Sequence, residues 1–243
     1  MAHGLDSVRG RFPLLLASLA ALILVSPFLG DPDVRDHAGM REIALGLLFM
    51  AMLMAAAYAA SRSRATVIAA WCLVTPVLLL WLIDLASGPG SVAIPRHAMG
   101  IVFVGYVVIL MLRYLFSTDR VTTDTIAASL CIYFLLAVLW AEVYSIMEIL
   151  EPGSFRIAGS GQDVSLELGA GGTAMALYYS LVTMTTLGYG DIVPGTAPAR
   201  SFAAMEAVTG QMYLAVLVAR LVGMHIAHST GRLPRTPGED SPH

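Results

Sequence analysis

The chain has 243 residues, of which 57% are hydrophobic and 13% are charged, and its mean hydropathy is +0.75. This composition excludes a soluble globular domain and predicts a protein that crosses a membrane several times. The net charge of −3, without a basic cluster, gives no sign of a nucleic-acid partner. We find no nucleophile beside a base, no Cys/His metal spacing and no phosphate-binding glycine loop after a strand, and therefore expect neither an enzyme nor a bound cofactor.

Six apolar segments have the length of about 20 residues that a membrane-spanning helix needs. In chain order they are predicted at 12–29, 41–60, 66–85, 95–116, from a polar elbow at 118–125 to residue 150, and 201–226. The first follows Arg9 and Arg11 as a signal peptide would, but no small-residue cleavage site follows it, and we expect a retained helix. Cys72 and Cys131 lie within apolar segments, which argues against a disulfide framework.

Arginine placement predicts the orientation of these segments. The 14 basic residues are all arginines, and they divide as nine on one side of the predicted spans and five on the other. Cytoplasmic loops carry the excess of positive charge in membrane proteins. We therefore expect a multi-pass cell-membrane protein with both termini in the cytoplasm.

A glycine-containing strip, Thr-Thr-Leu-Gly-Tyr-Gly-Asp, occupies residues 185–191. It follows a short apolar run at 173–184, with a Gly-rich, flexible lead-in expected at 169–172, and it precedes the long apolar segment 201–226. Irregular backbone is costly in lipid because its polar groups lack partners, but it is tolerated where its carbonyls line an ion path. The two glycines permit backbone conformations that turn successive carbonyls the same way.

This strip resembles the selectivity filter of potassium channels, whose usual core is Thr-Val-Gly-Tyr-Gly, with Leu187 in place of valine. The resemblance is strong over residues 178–191 and looser over 126–224. It implies a homotetramer, because one chain supplies one filter strand, and it implies K⁺ as the permeant ion. The residues that would bind K⁺ are Thr186, Leu187, Gly188 and Tyr189, and Gly190 completes the filter.

The resemblance implies an all-α membrane protein with six transmembrane helices, and with a re-entrant pore helix and the filter between helices five and six. The domains are then a peripheral four-helix domain at 1–117, a pore domain at 118–229 and a disordered cytoplasmic tail at 230–243. Voltage sensors carry an arginine at every third position of their fourth helix, whereas this helix has only Arg96 and Arg113, one near each end. We therefore expect a prokaryotic-type subunit that is not strongly voltage-gated.

Side chains near the filter are predicted to support it. Tyr178 and Tyr179 stand where many family members carry two tryptophans, and the Tyr178 hydroxyl is expected to bond to Asp191 at the outer mouth. Val182 stands where some channels have a buried glutamate, and Glu206 of the last helix is expected to replace that carboxylate rather than be solvated near the outer water. Its expected donors are one or more hydroxyls of the pore helix: Tyr179, Ser180 and Thr183.

The last apolar segment is predicted to line an inner cavity. Gly210 resembles the hinge glycine of the family's inner helix, although a glycine for close helix packing is an equal interpretation. Gln211, Leu214 and Val218 share one helix face, which is expected to line the cavity and form its gate, or otherwise to contact another helix. Arg220 points away from that face. Its expected partner is Asp119, Asp124 or the lipid headgroups.

Some polar residues remain within the other apolar segments. Asp84 and His97 lie near the outer ends of helices three and four, where they either pair, with His97 as a pH sensor, or are solvated at headgroup level. Glu142 and Glu148 lie in the outer half of helix five. Both are expected to be solvated or locally bonded, with Trp140 and Tyr144 in an interfacial aromatic belt.

Three functions are therefore compatible with the sequence. The first is a tetrameric channel for passive, potassium-selective conduction, with membrane lipids, K⁺ and identical copies as its partners. The second is a weakly selective cation channel, because Leu187 departs from the usual filter. The third is a non-conducting membrane subunit or sensor with a relic pore loop.

Overall fold

The computed structural model describes residues 11–30, 38–60, 64–88, 90–118, 122–159 and 169–230. Within these residues the chain forms seven α-helices and one pair of short β-strands. In chain order they are α1 (Arg11–Gly30), α2 (Ala38–Ala60), α3 (Arg64–Ser87), α4 (Ala93–Ser117), α5 (Thr123–Leu150), β1 (Phe155–Ile157), α6 (Gly169–Met184), β2 (Ile192–Pro194) and α7 (Ala197–Thr230). The predicted tail beyond residue 230 and the middle of the elbow before α5 lie outside the described residues.

The apolar helices are those of a membrane protein. Four of them are long and apolar enough to cross a membrane by length and composition: Arg64–Ser87, Ala93–Ser117, Thr123–Leu150 and Ala197–Gly223. Two shorter apolar helices, Phe12–Phe28 and Ile43–Ala59, precede them in the part of the chain that is described. The prediction of a helical membrane protein is confirmed at this level. With 16 residues, α6 is too short to span a bilayer.

Local sequence signals account for two helix starts. Thr122 precedes α5, and its Oγ1 accepts a hydrogen bond from the amide of Thr125 at 3.2 Å, which satisfies one of the free amides of the first turn. Pro198 stands in the first turn of α7, where its missing N–H costs nothing. The helix α7 begins at Ala197, four residues before the predicted start at 201, and Pro198 is compatible with this earlier start.

One local expectation is wrong. The Gly-rich residues 169–172 are not a flexible lead-in but the first turn of α6, which shows packing overriding the low helix propensity of glycine. The seven helices confirm the all-α fold class, and the regular strands among the described residues are β1 and β2 alone, which pair antiparallel with Arg156 opposite Val193. This short pair ties the segment before α6 to the segment after the strip at 185–191.

Buried residues from α1 to α6 form one hydrophobic core. The most extensive packing is between α4 and α5, and α1 packs on α5 and α6 as well as on α2. The last helix contacts α5 and α6 but is the least covered of the four candidate spans, since 11% of its apolar window is buried compared with 50% for α5. The short helix α6 is therefore held inside the core, and α7 presents most of its apolar surface outward.

Candidate functional site

The strip at 185–191 begins directly after α6, and every residue in it is exposed in the single chain. The sign of φ alternates along its backbone: φ is +57° at Thr186, +57° at Gly188 and +76° at Gly190, whereas neither residue between them has a positive φ. Glycine adopts this conformation readily, but threonine rarely does. The alternation is the pattern that turns successive carbonyls to one side, and Thr186 is held in it against its own preference.

The amides of the strip turn back to the end of α6. The Leu187 and Gly188 amides donate to the Val182 carbonyl at 3.0 and 3.3 Å, and the Thr186 amide donates to the Thr183 carbonyl at 2.9 Å. Among the described residues, no group donates a hydrogen bond to the carbonyls of residues 186–190. The strip therefore carries a row of carbonyl oxygens without partners, which can replace the water around a cation.

The outer end of the strip is fastened through Asp191. The Tyr178 hydroxyl donates to Asp191 Oδ2 at 2.6 Å, so the contact predicted from the sequence is confirmed. This hydrogen bond raises the pKa of the Tyr178 phenol to about 12, and the hydroxyl therefore stays a donor at neutral pH. The Asp191 carbonyl accepts from the Ala158 amide at 2.9 Å, which connects the strip to the turn after β1.

Behind the strip lies Glu206, which is fully buried. The Ser180 hydroxyl donates to its Oε1 at 2.5 Å, and the Tyr144 hydroxyl donates to its Oε2 at 2.5 Å. The predicted contact to Ser180 is confirmed, whereas the Tyr144 donor was missed. Tyr144 is fully buried, so its assignment to an interfacial aromatic belt is wrong. The Ser180 hydroxyl also lies 2.8 Å from the Ala137 carbonyl, two turns before Tyr144 on the same face of α5. Only the structure shows that this face of α5 meets Ser180.

An aromatic cluster surrounds this carboxylate. The ring of Tyr179 packs edge-to-face against Tyr144 and Phe155, with centroids 5.2 and 5.0 Å away, and those two rings pack on each other at 5.2 Å. Such pairs add about 0.5–1.5 kcal/mol each beyond their buried area. The cluster joins α5, α6 and β1 behind the strip, and the support that we expect Tyr179 to give the filter would come from this packing.

At the inner end of the strip, α7 lies very close to the end of α6. A Cβ at Gly210 would overlap the carbonyl oxygen and the side chain of Met184, so the close-packing interpretation of this glycine is favoured. The Tyr133 hydroxyl donates to the same Met184 carbonyl at 3.3 Å. Gln211 Nε2 donates to Thr186 Oγ1 at 3.4 Å, which brings the amide to the inner end of the strip. Leu214 and Val218 are exposed in the single chain, and their part in a cavity or gate stays a prediction.

Arg220 makes contacts other than the predicted ion pair to Asp124. Its Nη2 donates to the Thr118 carbonyl at 2.8 Å, and its guanidinium lies 4.8 Å from the centre of the Phe116 ring. No ion pair joins it to Asp124 in the described chain, and Asp119 lies outside the described residues. A carbonyl at the carboxyl end of α4 carries partial negative charge, which is sufficient to hold the guanidinium.

The polar residues of the outer half also pair differently from the expectation. Asp84 contacts Arg96 at 3.4 Å, and His97 contacts Glu142 at 2.6 Å, so neither the Asp84–His97 pair nor headgroup solvation of these groups is correct. Glu142 is buried and bonded between helices rather than locally. Glu148 is locally bonded, as expected, because it accepts from two amides of the turn after α5 at 2.7 and 3.1 Å.

Comparison with known proteins identifies the segment that contains these contacts. Residues 163–226 match the model of a family described as an ion channel. Two-pore potassium channel 4 of Arabidopsis thaliana is 30% identical over 106 residues, which make up 44% of this chain and 35% of that protein. The chain therefore spans about a third of the length of this relative. No solved structure matches the chain significantly. The resemblance predicted from the filter motif is confirmed at the level of the family.

Proposed function

We propose that this member of the potassium-channel family is a homotetramer that conducts K⁺ passively across the cell membrane in preference to Na⁺. The observation that carries the proposal is the strip at 185–191, whose amides are bonded to α6 while the carbonyls of residues 186–190 have no donor in the described chain. A cation that leaves water needs oxygens around it, and a row of carbonyls provides them.

The ion path follows from combining four such strips. The oxygens of Thr186, Leu187, Gly188 and Tyr189 from each copy would form successive rings around a common axis, with the Thr186 hydroxyl at the inner end. The strip continues from the carboxyl end of α6, where the helix dipole leaves partial negative charge that favours a cation. Leu187 contributes only its backbone to this path, and replacing the usual valine therefore leaves the carbonyl row in place.

The environment of the strip supports a tetramer. Residues 185–191 are exposed in the single chain, and irregular backbone facing lipid would leave several polar groups without partners. Further copies of the strip, with K⁺ and water between them, remove that cost. The poorly covered surface of α7 would then be shared between contacts to other copies and the inner cavity, where Gln211, Leu214 and Val218 are expected.

Opening is proposed to depend little on voltage. The described part of α4 carries only Arg96 and Arg113, and Arg96 is engaged with Asp84 and His97 at the outer end. Moving one full charge through the membrane field yields about 2.3 kcal/mol per 100 mV, so steep voltage dependence needs several mobile charges. Both termini are proposed to be cytoplasmic, which leaves the filter mouth and β1–β2 outside.

The proposal is tested with purified protein in planar bilayers and liposomes. Native mass spectrometry should give four subunits, and reversal potentials in mixed K⁺ and Na⁺ should approach the K⁺ equilibrium potential. Gly188→Ala should abolish the flux, because alanine does not readily adopt a φ of +57°. Gly223→Ala is the matched control, since a Cβ there meets open space, and it should conduct normally. Equal permeability to Na⁺ would support the weakly selective channel, and a folded tetramer without flux would support the non-conducting subunit.

A further inference from the structure

Glu142 of α5 has one carboxylate oxygen engaged and the other free. Its Oε2 lies 2.6 Å from His97 Nδ1, whereas no described residue donates a hydrogen bond to its Oε1. The Glu142 side chain is 7% exposed, yet this free oxygen is not enclosed by packed atoms. A buried carboxylate oxygen without a donor is costly, so a donor from outside the chain is favoured beside it.

The neighbouring contacts leave the charge of Glu142 without a cation. A guanidinium has donors only, so the 3.0 Å contact between Arg96 Nη2 and His97 Nε2 requires a lone pair on Nε2. The proton of the neutral ring is then on Nδ1 and is donated to Glu142 Oε2. Arg96 Nε lies 3.4 Å from Asp84 Oδ2, and these two charges offset each other. No arginine in the described chain forms an ion pair with Glu142.

A cavity beside Glu142 has room for a small molecule. It has about 60 Å³ of space for water, which accommodates about four molecules of that size. Asp84, Arg96 and Glu142 line it, together with Thr173 of α6. Apart from Gly46, the rest of the described wall consists of hydrophobic side chains: Leu45, Phe49, Met50, Val77, Trp81 and Leu85. The cavity is therefore mostly apolar, with one unpaired carboxylate at its wall.

We propose that this cavity is a binding site for a small primary alkylammonium ion. Its N–H groups donate to Glu142 Oε1, and its carbon atoms contact the hydrophobic wall. Cavities of this kind, apolar with a few converging polar groups, are typical of small-molecule sites. The site lies outside the proposed conduction path and does not depend on conduction.

The lining selects this class of ligand over others. A metal ion such as Ca²⁺ takes about six to eight oxygen ligands, which is more than the described wall offers. A quaternary ammonium ion has no N–H to donate to Glu142. A neutral alcohol of the same size donates a hydrogen bond but leaves the charge of the carboxylate unpaired.

Propylammonium and 1-propanol are the matched probes. Both have a chain of three carbons and one polar atom, which fits the volume of the cavity. The amine is protonated at neutral pH, as a lysine side chain is, whereas the alcohol is neutral. For ligands of this size we expect dissociation constants of about 0.1–10 mM for propylammonium.

Binding is measured through the fluorescence of Trp81, which lines the cavity. The tryptophans are Trp71, Trp81 and Trp140, and replacing the other two by Phe leaves Trp81 as the reporter. In the detergent-solubilised full chain, at constant pH, K⁺ concentration and ionic strength, its emission should change saturably with propylammonium but not with 1-propanol. Isothermal titration calorimetry of the unmodified chain measures the affinities without the tryptophan replacements.

A matched pair of variants tests the role of Glu142. Glu142→Gln keeps an acceptor for His97 but removes the negative charge, and it should weaken propylammonium binding at least about tenfold. Glu151→Gln removes the charge of an exposed glutamate just after α5, and its affinity should stay within about twofold of wild type.

Three results would overturn the site: no saturable binding of propylammonium, equal binding of 1-propanol, or the same affinity in Glu142→Gln as in wild type. The comparison of the two probes on the unmodified chain decides the question even if Glu142→Gln does not fold.

Discussion

Two of the buried acidic side chains, Glu206 and Glu142, are held in different ways. Glu206, behind the filter, is held by the hydroxyls of Tyr144 and Ser180, which keep their protons at any physiological pH. Glu142, near the outer ends of α4 and α5, is held by the imidazole of His97. The difference teaches that one fold holds one buried carboxyl group with hydroxyls from two helices and another with an imidazole from α4.

Packing around Gly210, behind the filter, is also closer than packing around Gly100, beside Glu142. Gly210 leaves no space for a Cβ against the backbone of Met184, whereas a Cβ at Gly100 would meet only side-chain atoms of Glu142, the nearest at 3.2 Å. Backbone at the end of α6 cannot move without moving the strip, but a side chain can rotate. The region behind the filter is therefore the less tolerant of the two, and the following variants are arranged from the largest expected effect to the smallest.

Gly210→Ala should have the largest effect. The added methyl overlaps the Met184 carbonyl, and we expect loss of the stable tetramer or a destabilisation of at least about 3 kcal/mol. Gly100→Ala is the matched variant and should cost about 1 kcal/mol or less, because the Glu142 side chain can adjust. Thermal unfolding of both proteins in detergent, followed by subunit counting, measures the difference. Equal behaviour of the two variants would remove the distinction between the regions.

Glu206→Ala should come next. It takes the acceptor from the buried Tyr144 hydroxyl, and an orphaned donor costs about 1–3 kcal/mol, whereas the Ser180 hydroxyl can still donate to the Ala137 carbonyl. Glu206→Gln retains an acceptor at the same place and should stay within about 1 kcal/mol of wild type. Tetramer melting and the steadiness of open-channel current report the two effects. If alanine at this position leaves both quantities unchanged, Glu206 does not brace the filter.

Removing a tyrosine hydroxyl should cost more stability where the hydroxyl is buried than where it is exposed. Tyr144→Phe leaves Glu206 Oε2 without its donor inside the protein and should cost about 1–3 kcal/mol of stability. Tyr178→Phe removes the donor to the exposed Asp191, which water can replace, and should cost less than about 1 kcal/mol. Its effect is expected instead in the filter, as a faster decline of current during sustained recording. The reverse order of melting temperatures would contradict this reading of burial.

Arg220, toward the opposite end of α7, should give a smaller effect than the buried Tyr144 hydroxyl. Arg220→Gln loses a charged hydrogen bond to the Thr118 carbonyl and the contact with the Phe116 ring, together worth about 1 kcal/mol. Arg220→Asp should be worse, and adding Asp124→Arg should not restore it, because no ion pair joins these two residues in the described structure. If that charge swap restores tetramer stability, an ion pair between positions 220 and 124 is supported instead.

Composition and local motif were sufficient for the kind of protein and for the position of its strip. Apolar segments of membrane-spanning length, the glycines at 188 and 190 and the short run before them are local features, and local features can be read from neighbouring residues. The cost of burying a carboxylate also predicted that Glu206 needs protein partners, and the expected position of the pore helix placed Ser180 among three candidate donors.

Only the tertiary structure decided which side chains meet across the helices. Tyr144 and Glu206 are 62 positions apart, and His97 and Glu142 are 45 positions apart. These helices are apolar all round, so hydrophobic periodicity does not reveal which face of each turns inward. If α5 were rotated by half a turn about its axis, Tyr144 would face lipid and Glu142 would face the headgroups. The apolar residues along α5 would fit that orientation almost equally well. The packing of α5 between α4 and α6 selects the rotation, and with it the partners of both carboxylates.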